Sequence, residues 1–492
     1  MKYFSTRDES QAKFDSAQVI KQGLAADGGL FVPESIPTLS QAEVEELCEK
    51  NYPQRAAYIL SKFLEDYSYE ELLKDCTEAY SEASFPGGAA PLRKVTDKLF
   101  SLELWHGPTA AFKDMALQIM PRLLSRALVK TGEDNTALIL VATSGDTGKA
   151  ALEGYRDIDR IKIMVFYPVD GVSKVQKLQM ATQTGNNVKV CAIKGNFDDA
   201  QNGVKKIFSD KDAKATLLEN SYILSSANSI NWGRLAPQIV YYVSAYCDLL
   251  RAGEITYGET VNVCVPTGNF GNIFAAYVAK LMGLPIHKLI CASNANNVLT
   301  DFLESGTYNR NRPFHVTMSP SMDILISSNL ERLLYFSAGA TETAKYMSEL
   351  NRTGAYTVSD EIKALIGKNF VGYYANEEET ASTLKKFYEE RDYLADTHTS
   401  VALSCAEKYL ADTDDERKII VASTASPYKF ASDVYHAITG QDASADTGAL
   451  DDLSALTNTE ISFPLRNLSD RPVRFTQIID SEDMLEEVYK FM

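Results

Sequence analysis

The sequence predicts an α/β protein with a largely parallel sheet and a mostly helical leading domain. After about residue 95, short β-branched runs alternate with helical stretches, which is typical of βαβ units. Residues 1–95 instead carry apolar residues at helical spacing. Three of the later runs lead into loops rich in Gly, Asn, Ser and Thr, and ligands of parallel sheets bind beyond the carboxyl ends of the strands.

The predicted elements follow from this patterning. Three leading helices are expected at 41–49, 54–63 and 69–83, and Gly- and Pro-containing turns at 27–29 and 85–88 flank them. The predicted buried strands are 138–142, 161–167, 187–193, 261–265, 288–292 and 418–423. Between about 300 and 400, polar helical stretches such as 376–392 replace the strand rhythm and indicate an insertion or a third subdomain.

Composition limits the class of protein. The chain has 492 residues, of which 45% are hydrophobic and 23% charged, as in ordinary folded proteins. Its 49 Lys and Arg against 66 Asp and Glu give a net charge of −17, which disfavours binding to nucleic acids and to anionic membranes. A small anionic substrate remains compatible, because a few N–H groups and cations set the field inside a pocket.

Cysteine and histidine usage favours a protein of a reducing compartment without a metal centre. The seven cysteines include no CxxC pair and lie mostly among apolar neighbours, as buried thiols do. The five histidines are far apart and form no HExxH-like pattern. The first residues lack the apolar segment of a signal peptide and no run is long enough to span a membrane, so we expect a cytoplasmic protein.

The first polar loop, residues 143–148, follows a predicted strand and precedes a helix. Its N–H groups and hydroxyls at a helix N-terminus can bind an anion, although ordinary turn and N-cap chemistry explains the same residues. The loop is not a Walker A motif, because Thr143 stands where Gly is needed and Ala150 where Ser or Thr is needed. An NTPase is therefore disfavoured.

Two other strand ends are polar. Residues 268–272 separate a strand from an apolar helix, and their two glycines allow the backbone to wrap around an oxyanion or simply to make a tight turn. The spacing is not GxGxxG, so no dinucleotide is implied. Residues 423–426 place hydroxyls at the end of the last strand, as ligands of the crevice or as a helix N-cap.

Lys113 is the candidate nucleophile. It lies among small and apolar residues in the segment LWHGPTAAFKDMALQ, where burial would lower the pKa of its amine and favour the neutral form that reacts with carbonyls. The alternative is a lysine whose stem lies along an amphipathic helix with its amine in water.

These segments, in this order, resemble the threonine synthase family of pyridoxal-phosphate (PLP) enzymes. HGPTAAFKD and PTGNFGN are the most specific motifs, and 23–33, 226–242, 319–335 and 396–403 are also similar to that family. The resemblance implies fold type II, with two domains that each contain a parallel sheet. The domains would be a helical N-terminal domain at 1–95, a catalytic region at 96–430 and a tail at 431–492 that packs on the core. The catalytic region would comprise a smaller subdomain at about 100–220 and a larger one at about 221–430, with an insertion at 300–400.

The resemblance also implies roles for individual residues. Lys113 would form the Schiff base with PLP, and Thr424 would bind the pyridine nitrogen through a neutral hydroxyl. The cofactor phosphate would be held by Gly268, Asn269, Phe270, Gly271 and Asn272. The substrate would be bound by Ser144, Gly145, Asp146 and Thr147 at its carboxylate, and by Ser229 and Arg234 at its phosphate.

Two departures from the family pattern affect these roles. Ser426 stands where many relatives have His, so a proton role for His at that position is not expected. Asp146 stands where related PLP enzymes often have Asn, which adds a negative charge beside a substrate carboxylate. We therefore expect backbone N–H groups and Thr147 to hold that carboxylate more than the Asp146 side chain does.

The implied activity is conversion of O-phospho-L-homoserine and water to L-threonine and phosphate. A phospholyase acting on O-phosphothreonine or O-phosphoserine, a threonine dehydratase and a noncatalytic homologue are the alternatives on the same fold. A dehydratase would not need Arg234 and Ser229, which favours a phosphorylated substrate. The sequence leaves the oligomeric state open.

Overall fold

Two sheets of parallel strands organise the chain. The computed structural model describes residues 1–143, 145–170 and 172–492. The strands in these ranges are β1 (Tyr3–Ser5), β2 (Phe31–Pro33), β3 (Leu92–Lys94), β4 (Leu99–Glu103), β5 (Thr136–Ala142), β6 (Ile161–Pro168), β7 (Val188–Lys194), β8 (Tyr222–Ser225), β9 (Val261–Pro266), β10 (Ile286–Ser293), β11 (Thr307–Asn309), β12 (Ala355–Thr357), β13 (Phe370–Tyr374), β14 (Ile419–Ser423) and β15 (Ile478–Asp480).

The helices connect and cover these strands. In chain order they are α1 (Ser16–Gln22), α2 (Gln41–Cys48), α3 (Tyr52–Phe63), α4 (Tyr69–Ala79), α5 (Asp114–Leu117), α6 (Met120–Lys130), α7 (Asp146–Tyr155), α8 (Lys174–Ala181), α9 (Phe197–Ser209), α10 (Lys211–Glu219), α11 (Trp232–Arg251), α12 (Gly271–Leu281), α13 (Val298–Ser305), α14 (Leu330–Thr353), α15 (Asp360–Gly367), α16 (Glu377–Arg391), α17 (Thr397–Thr413), α18 (Ala431–Thr439), α19 (Gly448–Thr457) and α20 (Met484–Phe491).

The larger sheet has the order β13–β10–β9–β14–β4–β3, parallel except for the antiparallel edge pair β3–β4. The second sheet, β15–β7–β6–β5–β8, is parallel throughout. Strands buried on both faces, such as β9 and β14, are mostly apolar because helices cover both sides of such sheets. The predicted α/β class with two parallel sheets and a helical N-terminal region is confirmed.

All six predicted strand runs coincide with observed strands, namely β5, β6, β7, β9, β10 and β14. The predicted helices are present as α2, α3, α4 and α16, although α4 ends at Ala79, four residues before the predicted end. Ser40, Asn51 and Ser68 begin α2, α3 and α4, and each side-chain oxygen accepts a hydrogen bond from a backbone N–H in the first turn. These caps explain why the polar residues between the apolar stretches mark the helix starts.

Several short strands were not predicted. β4 is fully buried and pairs with β14, yet its sequence LFSLE is only five residues long. β15 lies in the predicted tail and adds a parallel strand to β7, while α20 packs its Met484 and Val488 into the core of the same sheet. The boundaries of the proposed domains and subdomains stay predictions.

Two global features bear on class and compartment. In the described ranges, no helix combines the length and the apolar character needed to cross a bilayer. All seven cysteines are buried and none forms a disulfide.

The close approach of α7 to α5 generates a stability prediction. A Cβ on Gly154 would lie 1.8 Å from the backbone oxygen of Leu117, whereas a Cβ on Gly367 of α15 meets no atom within 4 Å. Gly154→Ala should therefore lose about 1–3 kcal/mol by overpacking. Gly367→Ala should leave the free energy of unfolding unchanged or raise it by a few tenths of a kcal/mol. Ala favours the helix over Gly, and at the end of a helix this effect is roughly half of its value in a helix interior. Urea unfolding measures both, and equal stabilities of the two variants would contradict the tight contact.

Candidate active site

The candidate site lies where strands of both sheets end. β5 ends at Ala142, β9 at Pro266 and β14 at Ser423, and each is followed by one of the polar loops singled out in the sequence. β9 and β14 are paired in parallel, so their loops emerge at the same edge of the larger sheet. The contacts described below connect the loop after β5 to these two loops.

Lys113 directly precedes α5 and is held against the end of β14. Phe112 N–H donates to the Thr424 carbonyl over 2.8 Å, and Ala111 forms a β-bridge with Ala425. The Lys113 side chain is 12% exposed, and its Nζ lies 3.2 Å from Ser321 Oγ and 3.5 Å from Asp146 Oδ2. The predicted nucleophile is thus an inward-facing lysine at the edge of the sheet, and its amine does not extend into bulk solvent.

The environment of Lys113 favours its neutral amine. Burial lowers the pKa of Lys113, and the nearby positive charges of Lys429 and Arg234 lower it further, while Asp146 opposes the change. An amine with a depressed pKa is a better nucleophile and base at neutral pH than an ordinary lysine.

Asp146, the first residue of α7, is an ionised carboxylate inside the protein. Its Oδ1 lies 3.0 Å from Lys429 Nζ and accepts a 2.9 Å hydrogen bond from Gln176 Nε2. Its Oδ2 accepts from Lys113 and from the Ser321 hydroxyl, the latter over 3.3 Å. Burial alone would raise the pKa of Asp146, but the charges of Lys429 and Lys113 hold it far below the usual range.

The rest of the loop after β5 combines a turn with a helix start. Thr143 Oγ1 accepts hydrogen bonds of 3.0 Å from the N–H groups of both Gly145 and Gly148. Gly145 has φ 142°, and a Cβ there would lie 2.4 Å from the Gln176 side chain, so the position requires glycine. Thr147 is half-buried in the first turn of α7, and Ser144 lies outside the described residues. The N–H groups of Gly145 and Gly148 are therefore already engaged within the loop.

The loop after β9 has the shape of an anion cradle. Phe270 has φ 63°, and α12 begins at Gly271. A Cβ on Gly268 would lie 2.8 Å from the Ser321 carbonyl oxygen, so this loop packs directly against the segment that contacts Lys113. The Asn269 carbonyl accepts from both the backbone N–H and Nδ2 of Asn329, each over 3.0 Å.

Asn272 in this loop keeps an unused donor. Its Oδ1 accepts a 2.8 Å hydrogen bond from the Tyr241 hydroxyl and a further one from Tyr242. The two tyrosines fix the amide orientation, and the buried Nδ2 has no hydrogen-bond partner among the described residues. A buried donor without a partner at the N-terminus of a helix is suited to a phosphate oxygen.

Arg234 is a second buried cation, in the first turn of the almost wholly buried helix α11. Its Nη1 donates to the Ala227 carbonyl over 2.8 Å, and its Nε has no partner in the part of the chain that the structure describes. Burial lowers the pKa of Arg234 to about 10, which still leaves it charged at neutral pH. Ser229, half-buried three residues before α11, lies beside the cradle because Asn329 Nδ2 is 3.5 Å from its carbonyl.

The last loop holds Thr424 and Ser426. Thr424 is buried directly after β14, and its carbonyl is bonded to the residue before Lys113. Ser426 Oγ accepts from Tyr428 N–H over 3.2 Å and contacts Ser462, so it caps the short turn of helix that follows. The N-cap interpretation of this loop applies to Ser426.

Sequence reasoning missed three residues that contact the site, namely Ser321, Gln176 and Lys429. Lys429 has a side chain with 0% exposure and donates to the Thr109 carbonyl over 2.8 Å as well as to Asp146. It carries the same signal that identified Lys113, a lysine among apolar residues, in the segment PYKFA. Ser321 lies in the 319–335 stretch, which resembled the family but to which no role was assigned.

The described residues fit PLP. Its aldehyde needs a lysine with a neutral amine, and Lys113 is buried and has a lowered pKa. Its phosphate needs N–H donors, which the glycine-containing loop before α12 and the unpartnered Asn272 amide can provide. Together with the two parallel sheets, they define a fold type II PLP-dependent enzyme.

Comparison with known proteins gives the family. A family model described as pyridoxal-phosphate dependent enzyme matches residues 88–424, and models of the threonine synthase N terminus and C-terminal region match 2–80 and 399–491. Threonine synthase of Pseudomonas aeruginosa is 37% identical over 447 residues, covering 90% of this chain and 91% of that protein. The chain belongs to the threonine synthase family.

A solved structure and a human relative extend the comparison. The PLP-bound threonine synthase of Brucella melitensis aligns with a TM-score of 0.89 at 36% identity, covering 100% of this chain and 99% of that one. Human threonine synthase-like 1 is 43% identical over 87% of this chain. This chain spans 58% of the length of that human protein.

The buried ion pair between Lys429 and Asp146 predicts a large loss of stability when one partner is removed. Lys429→Met removes one partner of a buried pair and should destabilise the protein by about 3–5 kcal/mol. Adding Asp146→Asn should restore part of that loss, because a neutral amide then stands where an uncompensated carboxylate would remain. Thermal or urea unfolding at pH 7 measures both, with Lys174→Met at the exposed pair with Asp446 as the matched control.

The pH dependence follows from the same pair. Because the pKa of Asp146 is lowered on folding, its charge contributes stability above the unfolded value of about 3.9, and this contribution is lost only as the pH falls below it. Between pH 7 and 5, the wild type should therefore lose no stability through this group. A Lys429→Met protein as stable as the wild type throughout this range would contradict the role of the pair.

Proposed function

We propose that this chain converts O-phospho-L-homoserine and water to L-threonine and phosphate. The observation that carries the proposal is a buried guanidinium, Arg234, whose Nε has no hydrogen-bond partner among the described residues. A phosphorylated amino acid needs a second anion site besides the cradle for the cofactor phosphate. The membership of the threonine synthase family supports the same assignment.

PLP, when bound, supplies an aldehyde for amino groups and a ring that accepts electrons from the substrate Cα. Lys113 would hold it covalently, and the cofactor phosphate would lie in the cradle formed by Gly268, Asn269, Phe270, Gly271 and Asn272. The Thr424 hydroxyl would bind the pyridine nitrogen. A neutral hydroxyl at this position does not enforce protonation of that nitrogen.

Lys113 is proposed as the group that moves protons. Its neutral amine accepts the Cα proton of the substrate and is then the base and acid available at Cβ and Cγ. Phosphate leaves from Cγ and water adds at Cβ, so the net reaction exchanges the phosphate ester for a hydroxyl on the neighbouring carbon. Asp146 keeps a negative charge next to the amine, which stabilises the ammonium after each proton is taken up.

Substrate binding divides between two places. Arg234 and Ser229 would hold the substrate phosphate, for which the planar guanidinium offers paired donors. Ser144, Gly145, Asp146 and Thr147 are proposed to receive the carboxylate. The carboxylate of Asp146 is already bound by Lys113, Lys429 and Gln176. We therefore assign the direct contact to Thr147 and the N–H groups at the start of α7. A reducing, cytoplasmic location is proposed with it, supported by the seven buried free thiols.

The activity is tested by incubating the holoenzyme separately with O-phospho-L-homoserine and with O-phospho-L-threonine. Release of phosphate together with L-threonine from the first substrate supports the proposal. A keto acid from the second, without threonine from the first, would establish a phospholyase instead.

Lys113→Ala removes the covalent link, so the purified protein should lose the yellow chromophore that borohydride reduces. Phosphate release should fall by at least about 10³-fold, since a nucleophile and a proton carrier are lost together. Absorbance spectra and peptide mass mapping of the reduced protein give the readout. Exposed Lys211 provides the control substitution, and full turnover by the Lys113 variant would refute the assignment.

Arg234→Ala should raise KM for O-phospho-L-homoserine. Loss of a charge-assisted contact of about 1.5–3 kcal/mol corresponds to a change of roughly 10–150-fold. The Kd for unphosphorylated L-threonine should change little, because it has no phosphate to lose contact with. If KM for the phosphorylated substrate is unaltered, Arg234 does not bind its phosphate.

A further inference from the structure

Ser321 is a hydroxyl at the reactive amine that the proposed chemistry has not used. Its Oγ lies 3.2 Å from Lys113 Nζ and 3.3 Å from Asp146 Oδ2. The three groups therefore form a triangle in which the amine donates to the hydroxyl and the hydroxyl donates to the carboxylate. The Lys113 amine also donates directly to Asp146 over 3.5 Å.

The backbone of Ser321 is fixed by a buried histidine. Ser321 N–H donates to His398 Nε2 over 3.1 Å, and His398 Nδ1 lies 2.8 Å from Asp396 Oδ2. The carboxylate can only accept, so Nδ1 carries the proton and Nε2 is the acceptor. His398 and Asp396 are both buried, which leaves this tautomer without competition from water.

The flanking residues hold the same segment from two other directions. The Ser321 carbonyl packs on Gly268, where no side chain would fit. Two residues further on, Asp323 Oδ1 accepts from Asn294 Nδ2 at 2.8 Å and Asn296 Nδ2 at 2.9 Å. Together these contacts fix the backbone on both sides of Ser321 and hold its hydroxyl at the Lys113 amine.

We propose that Ser321 is a positioning residue that orients the Lys113 amine for proton transfer, and that His398 acts by positioning Ser321. This inference rests on the proposed function, because it assumes that Lys113 carries protons. A neutral amine has two N–H bonds and one lone pair. When Ser321 Oγ and Asp146 Oδ2 each accept one N–H of Lys113, the orientation of the amine is fixed and its lone pair points away from both acceptors. The amine then accepts and returns a proton from that one direction.

The proposal predicts an effect on proton transfer and little effect on binding. In D2O, the holoenzyme should exchange the Cα hydrogen of L-threonine for deuterium through Lys113. Ser321→Ala should slow this exchange by about 10–100-fold, the size of effect that misplacement of a reacting group produces. The Kd for L-threonine, measured from the cofactor absorbance, should stay within about twofold, since no ground-state contact to the amino acid is removed.

Conservative and control variants separate orientation from folding. Ser321→Thr keeps a hydroxyl at the same carbon and should retain more of the exchange rate than Ser321→Ala does. Ser337→Ala removes a half-buried serine hydroxyl whose hydrogen bond among the described residues is to the Leu333 carbonyl of its own helix. This variant should exchange at the wild-type rate. An exchange rate in Ser321→Ala equal to that of the wild type overturns the proposal.

A double-mutant cycle tests the role of His398. If His398 acts only through Ser321, His398→Gln should slow the exchange in the wild-type background and have no further effect in the Ser321→Ala background. Independent, multiplicative effects would overturn this part of the proposal.

Measurements on the wild-type protein separate a failure of the proposed function from a failure of the proposed role of Ser321. A wild type that forms no reducible chromophore and exchanges no Cα hydrogen would overturn the proposed function, and the role of Ser321 with it. A wild type that exchanges the hydrogen while Ser321→Ala matches its rate would overturn only the positioning role.

Discussion

The charge on Asp146 is the constraint on which the site depends. A carboxylate buried at the start of α7 is stable only with compensating donors, and it obtains them from four separate segments of the chain. They are Lys113 from the loop beside β14, Gln176 from α8, Lys429 from the turn after β14, and Ser321 from the segment that packs on the loop after β9. The charge of Asp146 therefore links the two sheets at the Lys113 amine. Related PLP enzymes often have Asn at this position, and here the additional negative charge is compensated by Lys429, which the sequence analysis did not single out.

A buried arginine makes comparable contacts with the loops proposed to bind anions. Arg332 in α14 donates to the Phe31 carbonyl over 3.0 Å and to the Ile230 carbonyl over 2.5 Å, and it also bonds to the Asn329 side chain. Asn329 in turn holds the Asn269 carbonyl. The N-terminal region, the loop before α11 and the cradle after β9 are thus joined by a single guanidinium. The helical N-terminal region is therefore connected to the candidate site although it contributes none of the proposed ligands.

The sequence predicted those parts of the fold and site that local pattern determines. Apolar strands such as β9 and β14, and polar loops directly after them, carry their signal in consecutive residues. β4 was missed because LFSLE contains no β-branched residue and includes Ser101 and Glu103, unlike the equally short β14. β15 was missed because it has only three residues and is defined by its pairing with β7, which lies far away in the chain. Ser321 and Gln176 were missed for a similar reason, since nothing near them in sequence indicates a distant lysine or carboxylate. Lys429 is different, because it lies among apolar residues as Lys113 does. The same pattern therefore indicated a buried lysine at both positions, but only Lys113 was predicted from it.

The pairing of β15 with β7 has a consequence for biosynthesis. While the ribosome is still translating the residues before 478, β7 has an open hydrogen-bonding edge on the side that Ile478–Asp480 will later occupy. An uncovered parallel edge of apolar residues is a template for association with other nascent chains. The second sheet is therefore complete only after nearly all of the described residues have been synthesised.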